Sequence, residues 1–132
     1  MIYEAYGDTF GDLFELFEVI VHQDDTEMFV RYLDEHTEAI NMQNAYGWTL
    51  LHLCARRNRK AMCEILIERG IDIDKPDNEG WTPLMEAMMQ GHTEIAEMLI
   101  KKGANLDATT RMGDTPRTLA RKFGYTRLAA LM

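Results

Sequence analysis

Few residues in this chain are equipped for chemistry. His52, Cys54 and Cys63 are three of the ligand types that zinc takes, and a structural zinc site needs four. No fourth ligand stands at metal-site spacing, and His22, His36 and His92 are scattered along the chain near expected helix ends. Cys54 falls at a small-residue position of one amphipathic segment and Cys63 at an apolar position of the next, which suits buried thiols acting as small hydrophobes. No Ser–His–Asp set, phosphate-cradling glycine loop or carboxylate pair rises above what 22 acids produce by chance. The expectation is a protein with no catalytic residues, no metal and no cofactor.

The elements that carry these residues are set by an internal repeat. Gly47, Gly80 and Gly113 stand 33 residues apart, as do Thr49, Thr82 and Thr115. Residues 47–79 and 80–112 share nine identities, including Trp48 with Trp81 and Leu51 with Leu84. Each threonine is placed to cap a helix, with Pro83 and Pro116 at the first helical position, where a missing N–H costs nothing. Asn58, Gly91 and Gly124 tolerate the left-handed backbone that ends a helix. A second helix follows with apolar residues at helical spacing, Met62, Ile65, Leu66 and Ile67 in one copy and Ile95, Met98, Leu99 and Ile100 in the next. Gly70 and Gly103 end it, and an extended arm and turn lead on.

GWTPLMEAMMQGHTEIAEMLIKKGANLDA closely resembles the ankyrin repeat, and GWTLLHLCARRNRKAMCEILIERGIDID resembles it with more drift. The resemblance runs from residue 41 to about 130 and implies an all-α, ankyrin-repeat helix–turn–helix solenoid with short hairpin-like turns. It also implies that His52 bonds within its own Thr-x-Leu-His turn. The expected organisation is one domain over 1–132. An arm occupies 1–9, a capping repeat 10–43, repeats 44–76 and 77–109, and a C-terminal capping repeat 110–132. In the last of these Arg117 replaces a core leucine, which suits a cap whose outer face meets water. Upstream, Leu13, Phe14, Leu16, Phe17, Ile20 and Val21 mark the apolar face of a first helix, and Thr26 to about His36 a second.

Charge divides the chain. Residues 1–46 hold eleven acids against Arg31 alone, while residues 47–132 hold eleven acids and thirteen bases. That disfavours nucleic acid, whose phosphates require a basic surface. It suits a basic protein partner, although an acidic end also serves solubility. No apolar stretch approaches the roughly 20 residues of a membrane span, and the acid-rich N-terminus has no basic leader. Together with the two unpaired cysteines this gives the expectation of a cytoplasmic monomer.

What remains is surface. The resemblance implies that partners dock on the concave face, formed by the turn tips and the exposed ends of the first helices. The tips offer Tyr46 and Trp48, then Asn78, Glu79 and Trp81, then Arg111, Met112 and Asp114. The helix ends offer Arg56 and Arg57, Met89 and Gln90, and Lys122 and Phe123. Tryptophan, tyrosine, arginine and methionine are enriched at binding hot spots. Two readings stand for the tryptophans, anchoring a partner or packing on the neighbouring turn. The run Arg56-Arg57-x-Arg59-Lys60 likewise reads as a grip for an acidic segment or as a solvated loop. The expected function is binding of a protein partner, as an inhibitor or immunity-like protector of an enzyme. The alternative is an adaptor or scaffold fragment of a larger protein, with an enzyme accessory or ligand-binding subunit behind both.

Overall fold

The computed structural model describes the backbone of residues 10–132 and the side chains of 13–132; the arm expected at 1–9 lies outside the described residues. Eight α-helices follow in four pairs, and no strand occurs among the described residues. The pairs are α1 (Phe10–His22) with α2 (Thr26–Glu35), α3 (Leu50–Arg56) with α4 (Lys60–Glu68), α5 (Pro83–Met89) with α6 (Thr93–Lys101), and α7 (Pro116–Phe123) with α8 (Thr126–Ala130). The first helices pack in the order α1, α3, α5, α7 and the second helices in the order α2, α4, α6, α8, giving a two-layer, all-α solenoid. No helix among the described residues is long and apolar enough to cross a membrane.

Local chemistry sets each boundary. Thr49, Thr82 and Thr115 stand in extended backbone, and each hydroxyl accepts the N–H three residues on. Each first helix ends on a left-handed residue: Asp24 (φ 56°), Asn58 (φ 60°), Gly91 (φ 78°) and Gly124 (φ 74°). The first interval is one residue longer than the 33-residue period, so the N-terminal pair is offset from the others by one position. The expected apolar face of α1 is buried throughout, and Phe17 meets Phe29 of α2 edge-on at 5.8 Å between ring centres. In α3 every residue from Leu50 to Ala55 is buried, so its polar member, His52, must find partners inside the stack.

The pairs are latched at one register. Arg59 donates to the Val21 and His22 carbonyls at 2.9 and 2.8 Å, capping the end of α1. At the matching position of the next pair, His92 Nε2 lies 3.0 Å from the Arg56 carbonyl, and one pair further the Tyr125 hydroxyl donates to the Met88 carbonyl at 2.9 Å. Three different side chains thus perform one task, satisfying the orphan carbonyls of the preceding first helix. Arg59 is therefore neither a free grip for an acidic segment nor part of a solvated loop. Arg117 is exposed as expected, reaching the Met132 carbonyl and, at 3.4 Å, Asp107.

Candidate protein-binding groove

The turns before α3 and α5 are built alike. Asn44 Oδ1 accepts the N–H groups of Tyr46 and Trp48 at 3.0 and 2.9 Å, and Asp77 Oδ1 those of Glu79 and Trp81, both at 2.9 Å. These tips touch through main chain, Asn78 N–H donating to the Tyr46 carbonyl at 3.0 Å and Arg111 N–H to the Glu79 carbonyl at 2.9 Å. The approach explains Gly47. Its φ is +81°, and a Cβ there would lie 2.6 Å from Asn78 Oδ1 and 2.7 Å from Asn78 N.

Behind the tips, His52 ties the two tryptophans' turns together. Its Nδ1 accepts the Thr49 N–H at 3.1 Å, so the other ring nitrogen carries the proton, and Nε2–H reaches the Trp81 carbonyl at 2.7 Å. The role implied for His52 within its turn is thus extended to the next helix pair. Burial holds its pKa below the ordinary histidine value, although the Trp81 carbonyl and the nearby charges of Asp77 and Glu86 pull the other way.

Between the tips and the ends of α3 and α5 lies a groove of about 370 Å³. Eight of the residues expected from sequence line it: Tyr46, Trp48, Arg56, Asn78, Glu79, Trp81, Met89 and Gln90. Tyr46 is 68% exposed and Met89 48%, while both tryptophans are half-buried at its walls. The Arg56 guanidinium lies over the Trp48 ring, 5.1 Å from its centre, and pairs with Glu86 at 2.7 Å. Gln90 Nε2 adds a longer bond to the same Glu86 oxygen at 3.4 Å.

Six expected residues stand outside this groove. Arg57 is exposed at the end of α3, facing the N-terminal pair, where its charge counters the effect of burial and of Glu15 in raising the Glu18 carboxyl. Arg111 borders the groove through Glu79, at 3.4 Å. Met112 is exposed at the next tip, and Asp114 is held by Lys122 at 2.6 Å. Phe123 packs edge-on against Tyr125, with ring centres 5.7 Å apart.

Two lining residues were missed. Asp77 shows itself only through its register match to Asn44. Glu86 carried a clearer signal, an acid at the position where neighbouring copies place Leu53 and Leu119, both buried. Among the described residues no group of three His, Cys, Asp or Glu side chains is placed to hold a metal ion. Cys54 and Cys63 are both buried, and burial pushes the Cys54 thiol well above its ordinary range, with Cys63 adding to the rise.

A family model described as ankyrin repeats, in three copies, matches residues 16–110 and again residues 74–131. These matches run from within α1 past the end of α8, so the chain belongs to the ankyrin-repeat family, whose repeats serve as protein–protein interaction modules.

Proposed function

We propose that this chain is a non-catalytic module whose groove between the second and third helix pairs grips a protein partner, acting as a stoichiometric inhibitor or protector of an enzyme. The repeats we assign to the groove are 44–76 and 77–109, between capping repeats 10–43 and 110–132. One observation carries the reading: large hot-spot side chains, Tyr46 and Met89, project over a frame whose neighbouring turns are joined by main-chain hydrogen bonds. Such anchors gain most when docking removes water from them, and a rigid frame spends little entropy on ordering. Occlusion of a target is the activity a binding surface alone supplies.

The test is partner capture on the immobilised chain, followed by titration of the captured enzyme's activity. Trp81→Ala with Met89→Ala should weaken binding by about 2 kcal/mol or more. Glu64→Lys, on the exposed side of α4, should leave it unchanged. The opposite pattern would move the working surface to the outer helices. An enzyme still fully active at one equivalent of bound chain would remove the inhibitor role.

A further inference from the structure

The groove's charge is unbalanced. Asp77, Glu79 and Glu86 bring three carboxylates to its lining and Arg56 the one guanidinium. That guanidinium is already spent, stacked on Trp48 and paired with Glu86, so it does not invite an acidic ligand. It does show what this surface holds well: a planar cation lying on an indole face beside a carboxylate.

The repeat register places a second tryptophan one step along without its cation, and Leu119 stands there in the place of Glu86. Arg56 lies eight residues after Trp48; eight residues after Trp81 the chain has Met89, uncharged and exposed. Acidic groups nevertheless stand beside Trp81. Glu79 is exposed, and its contact with Arg111 is long, 3.4 Å, between two largely solvated side chains. Such a pair is worth little and is easily exchanged. Asp77 uses Oδ1 for the N–H groups of its own turn, which leaves Oδ2 for a ligand.

We propose that the partner inserts an arginine into this second seat, its guanidinium on Trp81 and its N–H groups on Glu79 and Asp77, with its stem along Met89. The proposal rests on the groove reading above and names the chemistry of its occupant. Arginine suits the seat better than lysine because its flat, weakly hydrated head stacks on a ring and offers two parallel donors to carboxylates.

Trp48 and Trp81 are the chain's two tryptophans and both line the groove, so tryptophan emission of the intact protein reports on it alone. The probes are acetylated, amidated pentapeptides Gly-Leu-X-Leu-Gly with X as Arg, Lys, Gln or Glu. The expected result is a saturable change with the arginine peptide, at least tenfold tighter than with the Gln or Glu peptides and weakened by salt. Asp77→Asn, which keeps the Oδ1 acceptor, combined with Glu79→Gln should lower that affinity at least tenfold with the melting temperature retained.

A lysine peptide that binds as tightly overturns the choice of arginine. A Gln or Glu peptide that binds as well, or no saturable change with arginine, overturns the cation seat. Partner capture separates this failure from the other. If Trp81→Ala with Met89→Ala still weakens capture, only the arginine assignment falls; if it does not, the groove falls with it.

Discussion

His52 of α3 holds the main chain of Trp81: its Nε2–H donates to the Trp81 carbonyl, which also accepts the Asp77 N–H at 2.8 Å, so both lone pairs are used. A protonated imidazole would lose the Nδ1 acceptor that receives Thr49 N–H, leaving two donors face to face. The folded state therefore binds this proton less readily than the unfolded chain, whose histidine titrates near 6.5. Stability contributed by neutral His52 is present above that value and is lost as pH falls through it towards the lower folded value. Thermal melts should show a lower midpoint at pH 5.5 than at 7.5. His52→Gln should flatten that dependence; parallel curves for the two proteins would remove His52 as its source.

Glycine is required for two reasons at Gly47 and for one at Gly113. Both have positive φ, but a Cβ at Gly113 meets nothing within 4 Å, whereas at Gly47 it strikes Asn78. Gly113→Ala should cost about 1–2 kcal/mol for left-handed backbone alone. Gly47→Ala should cost more and should also quench or shift tryptophan emission, because the tips that frame Trp48 and Trp81 must separate. Equal losses in denaturant titration would show that the close approach carries no energy.

Arg59 should matter to α1 more than to α4, which it precedes. Arg59→Ala removes two charge-assisted bonds from the Val21 and His22 carbonyls, a loss of about 1–3 kcal/mol. Hydrogen exchange should speed first in α1 and leave α5 and α6 near their original rates. Uniform acceleration along the chain would mean that the stack opens only as a whole.

Both thiols should react slowly with aromatic disulfide reagents in the native protein and at full rate in denaturant, since reaction needs a thiolate and access. Burial denies access to both and disfavours the Cys54 thiolate. Stoichiometric labelling within the mixing time under native conditions would place at least one of them at the surface.

The helix pairs were legible because their signals are local and repeated: a capping threonine, a proline at the first turn, a left-handed stop. So was Met89 as an exposed residue, for its register suffices, whereas Trp48 and Trp81, which the sequence left between anchoring a partner and packing on a turn, are half-buried at the groove walls. The destinations of long polar side chains were not legible. Arg56 and Arg59 sit in one basic run, yet one crosses to Glu86 of the next pair and the other to α1 of the previous one. Asp25 shows the same limit. Grouped with Asp24 and Glu27 it reads as part of an acidic end that steers a partner, but its carboxylate accepts the Met28 N–H at 3.1 Å and caps α2. Glu86 betrays itself only against the leucines of its register, since a buried acid becomes intelligible when its guanidinium is in view.

The latches of Arg59, His92 and Tyr125 all end on carbonyl oxygens, and so does His52 on Trp81. A carbonyl is the same acceptor whatever side chain its residue bears. These latches therefore place no demand of their own on the side chains of Val21, His22, Arg56, Met88 or Trp81, and three chemically unlike donors have been accommodated at one register. Natural variation can redraw the outward-facing letters of this surface, and with them its choice of partner, while the seams that hold the stack together go unread.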